Sequence, residues 1–241
     1  MPPRVPIMLD NDDDWKRLYR AGAITALAAF VMLPMQIACY VVWPPTLTIE
    51  PLFGVLTDNW VRGLVGLDVF MLLDSALNLI IFAALAVALW RTNRPVVLIA
   101  SVFVVVATAA HFSSSTAFEL LDLARQYTAT TDPEVKRQLL AAGRFALAAF
   151  QGTGFDIYYV MSGIMIISFG WVMLRSPDFG RLPGWLAIVS GGLMLVPATA
   201  GQVGTYLSLA SLLPWFALLF MLWRRLWHLG REQVLHLAPA Q

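Results

Sequence analysis

Asp74 and Asn78 stand one helical turn apart inside a run, 66–90, that is otherwise almost wholly apolar. Residues four apart share a helix face, so a carboxyl and a carboxamide would lie side by side in a hydrophobic setting. A second apolar run is interrupted in the same way. Between Phe150 and Tyr159 it holds Gln151, Gly152, Thr153, Gly154, Phe155, Asp156 and Tyr158. Ionisable groups buried in hydrocarbon are expensive, which makes them functional candidates by default. The chemistry open to Asp74, Asn78 and Asp156 is ligand binding, proton binding, or an interhelical hydrogen-bond clamp.

The cost of these groups can be estimated. Leu, Ile, Val and Phe fill 13 positions from 67 to 89. At mid-membrane they contribute roughly −4 to −8 kcal/mol, against roughly 5 to 7 for two central aspartates. Asp68 lies near the interface and costs less. The margin is small, so Asp74 needs a hydrogen-bonding partner or a proton.

Helical spacing groups the remaining candidates. Arg144, Gln151, Phe155, Tyr158 and Ser162 follow steps of seven, four, three and four and form one stripe. Asp156 lies roughly 100–140° off that stripe and faces a different neighbour. Asp74 and Asp156 fall at similar depth, about 12–14 Å from one membrane surface at the helical rise. His111 and Gln202 lie above them, with Arg144 and Glu119 at the rim. The polar residues gather in the outer half, which predicts a water-filled cavity open to the outside. Each residue also has a plainer role. His111 suits a structural hydrogen bond, Gly152 and Gly154 suit close helix approach, Gln151 and Gln202 suit helix ties, and Arg144 suits a carboxylate partner or an outward-reaching position.

These residues must be positioned by membrane helices. The chain has 241 residues, 59% hydrophobic and 13% charged, where a soluble domain is about 25% charged. A span needs about 20 mostly apolar residues. Six segments qualify: 21–43, 66–90, 95–112, 147–174, 183–204 and 206–223. Long apolar runs pair their backbone groups only as helices, so the expected fold is all-α, a polytopic membrane helix bundle with six transmembrane helices. Eleven Lys and Arg, among them Arg4, Arg20, Arg91, Arg175 and Arg225, fall on one side and five on the other. That bias puts both termini in the cytoplasm, as an even number of spans requires. Pro34, Pro197 and Pro214 fall within spans and predict kinks or unwinding.

The expected organisation is a cytoplasmic N-terminal segment 1–20, a six-helix domain 21–223 with outer loops 44–65 and 113–146, and a cytoplasmic tail 224–241. Asp12, Asp13 and Asp14 can cap the first helix. The first twenty residues are polar and lack the features of a signal peptide. Loop 113–146 should hold two amphipathic helices, near 116–128 and 133–146, the second opened by Asp132 and Pro133 and running into the fourth span. A net charge of +1 gives no sign of nucleic-acid binding. With Cys39 as the single cysteine there is no internal disulfide. No spacing suggests a metal site, no motif suggests a cofactor, a nucleophile or a phosphate loop, and no lysine lies mid-span for a retinal Schiff base. The catalytic residues, if any, are not identifiable.

Ala117–Leu121 (Ala-Phe-Glu-Leu-Leu), Leu123–Tyr127, Ala141–Gly143, Gly152–Phe155 and Met173–Ser176 with Phe179 occur in an order that resembles a bacterial family of six-span membrane proteins catalogued only as a domain of unknown function. The resemblance is best from about 110 to 195 and weak in the first span. It implies a multi-pass protein of the bacterial cytoplasmic membrane and brings no activity with it. The chain departs from the family pattern at Ser115-Thr116, where Asn-Pro is common, at Gln151, where Asn is common, and at Arg144, where an acid is common.

Three functions fit. The first is a non-enzymatic protein binding a small ligand, lipid or partner in the outer cavity through Asp74, Asn78, His111, Arg144, Gln151, Phe155, Asp156, Tyr158 and Gln202. The second is an enzyme on a lipid or isoprenoid, with Asp74 and Asp156 in acid–base roles and Phe155, Tyr158 and Tyr159 steadying positive charge. The third, a proton-coupled transporter, calls for polar residues on both sides of the midplane, and the apolar cytoplasmic half disfavours it.

Overall fold

The computed structural model describes residues 12–231, with side chains from Trp15 onward. Arg4, the capping role of Asp12–Asp14 and the outer parts of both terminal segments lie outside the described residues. Ten helices follow in order: α1 (Asp12–Val42), α2 (Ile49–Asp58), α3 (Trp60–Gly66), α4 (Val69–Leu89), α5 (Arg94–Ser114), α6 (Ala117–Ala129), α7 (Pro133–Phe150), α8 (Thr153–Met173), α9 (Arg181–Met194) and α10 (Gly201–Leu229). The described residues contain no strand.

Among the described residues five helical stretches are long and apolar enough to cross a membrane: α1 from Trp15, α4, Arg94–Ala129, Pro133–Met173 and α10. Their outward faces carry large apolar side chains that no described residue covers, including Val31, Val105 and Leu213, the last 78% exposed. A water-facing helix would carry polar residues there. The chain is a membrane protein built as a helix bundle.

The expected fifth span, 183–204, is not one helix. α9 has 14 residues, about 21 Å of rise against a ~30 Å hydrocarbon core. Pro197, which lacks a backbone donor, lies in the 195–200 link, and Gly201 opens α10 with φ 73°. The link therefore takes the place of the helix's last turns. Pro34 and Pro214 are tolerated inside continuous helices.

Long helices pack antiparallel to their neighbours. Leu85, Leu89, Val97, Phe169, Val172 and Leu222 belong to one buried core. α1 and α10 meet through Arg20 Nε, which donates to the Gly230 carbonyl at 2.9 Å, and through the stacked rings of Phe30 and Phe216, 4.1 Å apart. α8 and α9 meet through reciprocal glycines. A Cβ on Gly170 would lie 2.8 Å from the Gly184 oxygen, and one on Gly163 would lie 2.8 Å from that of Gly191.

The loops 44–65 and 113–146 fold together. α2, α3, α6 and α7 close around a second core of Leu52, Phe53, Leu56, Leu120, Ala124 and Phe150. Asp132 accepts from the Glu134 amide at 2.8 Å and Pro133 occupies the first turn of α7, as expected. Thr116 Oγ1 ties α6 to α7 by donating to the Ala146 carbonyl at 2.8 Å. This cap covers one end of the bundle.

α7 does not run into the fourth span. It stops at Phe150, and α8 begins at Thr153 after Gln151 and an extended Gly152 with ψ −157°. A Cβ on Gly152 would lie 3.1 and 3.2 Å from the carbonyl oxygens of Ala148 and Ala149. Gly152 therefore serves a helix break rather than helix contact. Gly154 does serve contact, since its Cβ would lie 2.9 Å from Ser114 Cβ on α5.

Candidate functional site

The break at Gln151 and Gly152 sends α7 into the cap and leaves α8 in the bundle. Beneath that junction α1, α4, α5, α8 and α10 surround a cavity of about 780 Å³. Ligand pockets run from about 300 to 1,000 Å³. One wall is polar, with Gln36, Asp68, Asp74, Asn78, Tyr158 and Ser162. The lining also holds the apolar Met32, Leu33, Met165, Met194, Leu212 and Trp215, with Thr205, Ser208 and Ser211 from α10. Toward the core Phe82 stacks on Phe169 at 5.2 Å and lies 6.2 Å from Trp215, forming an aromatic floor.

Asn78 Nδ2 donates to Asp74 Oδ2 at 2.7 Å, the pairing that their spacing predicts. The bond fixes the carboxamide's orientation and leaves Asn78 Oδ1 buried without a hydrogen-bond partner. Buried acceptors are normally paired, so this oxygen marks the wall as incomplete. Asp68 joins α3 to α4 and is the only non-glycine described residue with positive φ, at 58°. That conformation ends α3 in a position usually taken by glycine and brings the Asp68 side chain to the cavity, where Gln36 Nε2 approaches Oδ1 at 3.4 Å.

Tyr158 and Tyr159 line the cavity with Phe155. The Tyr159 hydroxyl bonds Ser208 of α10 at 2.7 Å. Tyr158 is backed by His111, whose ring stacks on it at 4.5 Å. His111 is 4% exposed and does not reach the cavity. Its Nδ1 lies 2.7 Å from Ser75 Oγ of α4. His111 therefore joins α4, α5 and α8 behind the wall, which is the structural role its position suggests.

The sequence-derived candidates divide. Asp74, Asn78, Gln151, Phe155 and Tyr158 line the cavity, and His111 supports it. Asp156 does not line it; its Oδ1 accepts from the Thr199 hydroxyl in the α9–α10 link. The two aspartates thus face different surroundings, and the second carboxylate on the wall is Asp68. Gln202 is exposed on the first turn of α10, away from the lining. Arg144 belongs to a separate groove of about 610 Å³ on the cap, with Thr48, Glu50 and Leu147. Leu47 and Gln151 line both spaces, so the groove and the cavity adjoin there. The helix break displaces Arg144 from the stripe that Gln151, Phe155, Tyr158 and Ser162 maintain.

Gln36, Asp68, Thr199 and Ser208 were not singled out as ligand contacts by sequence. Gln36 and Ser208 carried one available signal, a polar side chain within an otherwise apolar helix. Comparison with known proteins adds no function: no family model, no curated protein and no solved structure matches this chain.

Proposed function

We propose that the protein crosses the bacterial cytoplasmic membrane six times, with both termini in the cytoplasm and the cap outside. We further propose that it binds a small amphipathic ligand, a lipid or another small molecule, in the cavity without transforming it. α9 and the 195–200 link supply the sixth crossing in this reading. They carry the chain back from the turn after α8 to Thr199, which bonds Asp156 in the first turn of α8. Arg20 and Gly230 lie together at the end away from the cap, consistent with an even number of crossings. The arginine-rich turns at that end agree with the positive-inside bias.

One observation carries the binding reading: a cavity of ligand size combines a mainly apolar lining with a few polar groups, one of them an unpartnered acceptor. Such pockets orient a ligand by a few convergent polar groups. The enzymatic alternative relied on Asp74 acting with Asp156, and only Asp74 stands on the wall. The packed aromatic floor of Phe82, Phe169 and Trp215 disfavours a through-path for protons.

Native mass spectrometry of the detergent-purified protein provides the test. A bound small molecule should accompany the wild type and be lost in Asp74→Ala, with unchanged helicity and elution volume. An identical adduct in both proteins, or none in either, rejects the proposal.

A further inference from the structure

The bonding inventory of the cavity points to one ligand chemistry. Several donors on the wall are already engaged. Asn78 Nδ2 serves Asp74, and Gln36 Nε2 is shared between Tyr40 at 3.1 Å and Asp68. Ser75 is committed to His111, Tyr159 to Ser208, and Ser211 Oγ to the Ser208 carbonyl at 2.6 Å. Acceptors remain. Asn78 Oδ1 and Ser162 Oγ have no partner, and Asp74 spends only Oδ2 on a described hydrogen bond; the hydroxyl can accept as well as donate, whereas the amide and carboxylate oxygens only accept. Asp68 is met by a single long contact.

Charge points the same way. Among the described residues two carboxyl groups line the cavity and no Lys, Arg or His does. Neither Asp68 nor Asp74 is in an ion pair among the described residues. A carboxylate in a low-dielectric site without a cation is costly, and a cationic ligand offsets that cost beyond what the Asn78 hydrogen bond supplies. Phe82, Tyr158 and Trp215 border the same space, and aromatic rings attract cations.

We propose that the ligand is a protonated amine with an apolar body. Its ammonium donates to Asp74 and the Asn78 carbonyl, Asp68 supplies the second negative charge, and its body lies against the aromatic floor and the methionines. This rests on the cavity being a ligand site and adds the ligand's class. Fatty acids and other anionic amphiphiles are disfavoured by the same arrangement.

The test uses three probes of one shape: phenylbutylamine, phenylbutanol and phenylbutyrate, measured by equilibrium dialysis against the full chain in detergent micelles. The amine should bind more tightly than the alcohol by about tenfold or more, the scale of one desolvated charge pair, and phenylbutyrate should bind weakest. Asp74→Asn should abolish the amine's advantage while keeping alcohol binding, which a misfolded protein could not do. Asp156→Asn, off the wall, should keep the wild-type order. Phenylbutyrate binding as tightly as the amine overturns the proposal. So does equal binding of amine and alcohol; if Trp215→Ala then weakens both, the cavity remains a ligand site and only the amine assignment fails. Binding of none of the three probes counts against this inference, while an adduct lost in Asp74→Ala would still uphold the binding site.

Discussion

Gly163 on α8 and Gly191 on α9 touch backbone to backbone. A Cβ on Gly191 would lie 2.7 Å from the Gly163 oxygen, and one on Gly163 would lie 2.8 Å from that of Gly191. Seven residues along, Gly170 and Gly184 repeat the arrangement. Without a hydrophobic driving force between helices in lipid, such close packing is a main source of association. α9 is the shortest bundle helix, and this seam secures it together with Ser190 Oγ, which donates to the Ser211 carbonyl of α10 at 3.1 Å.

Gly191→Ala should therefore lower stability by about 1–3 kcal/mol, the usual cost of overpacking. Gly192→Ala is the matched control: nothing lies within 4 Å of its added Cβ, so it should be neutral or slightly stabilising. Thermal unfolding of both variants in detergent checks the pair. Equal melting temperatures would mean that the seam is loose.

Asp68 offers a separate test of backbone strain. A left-handed conformation costs most residues about 1–2 kcal/mol, with Asn and Asp tolerating it best and Gly free of it. Asp68→Asn should melt near the wild type, Asp68→Val clearly below it, and Asp68→Gly at or above Asp68→Asn. Any gain in Asp68→Gly should come with weaker amine binding. Asp68→Val melting with Asp68→Asn would show that the positive φ is not maintained.

Much of this was legible in the chain, for identifiable reasons. Apolar run length located the five stretches long and apolar enough to cross a membrane, because lipid leaves unpaired backbone groups no partner. The four-residue spacing of Asp74 and Asn78 foretold their hydrogen bond, and Asp132-Pro133 foretold the start of α7. What the sequence concealed depended on where helices stop. One break at Gly152 moved Arg144 from the cavity stripe into the cap groove, and another around Pro197 shortened the expected fifth span. Hydropathy is blind to both, since residues beside a break can be as apolar as those within a helix. Asp68 was hidden for a related reason: depth alone placed it at an interface, whereas its backbone conformation turns it inward. The reciprocal spacing of Gly163, Gly170, Gly184 and Gly191 was visible in the chain, but its meaning requires knowing that α8 and α9 are neighbours.

The Ser75–His111 bond holds two helices behind Tyr158. Removing either partner leaves a buried polar group unmet, at a cost of about 1–3 kcal/mol. Ser75→Ala and His111→Phe should each destabilise, and the double variant should cost less than their sum. A coupling of about 1 kcal/mol in the cycle would confirm the direct bond, and strict additivity would refute it.

Asp156 separates structural from binding roles. It lies in the first turn of α8, where a negative charge suits the helix dipole, and it receives the Thr199 hydroxyl. Asp156→Asn and Thr199→Val should each lower the melting temperature by a few degrees, about 1 kcal/mol. Asp156→Asn should leave the preference of the cavity for phenylbutylamine unchanged. A loss of amine selectivity in Asp156→Asn would return this residue to the site.

Gln151 and Leu47 border both the cap groove and the cavity, which makes their junction a candidate route inward. A bulkier side chain there should obstruct passage without touching the bound amine. Gln151→Trp should therefore slow association and dissociation of phenylbutylamine by similar factors and leave its Kd nearly unchanged, since a gate alters the barrier and not the end states. The competing route runs between α1 and α10. Beyond the Phe30–Phe216 stack, Leu33 and Ile37 on one helix and Leu209 and Leu212 on the other border the cavity, and Leu209 is 57% exposed. Pro34 and Pro214 lie just past that stack, and each removes a helix hydrogen bond where flexing would part the pair. If Leu209→Trp slows both rates and Gln151→Trp does not, the ligand enters from the lipid side and the cap groove is not its path.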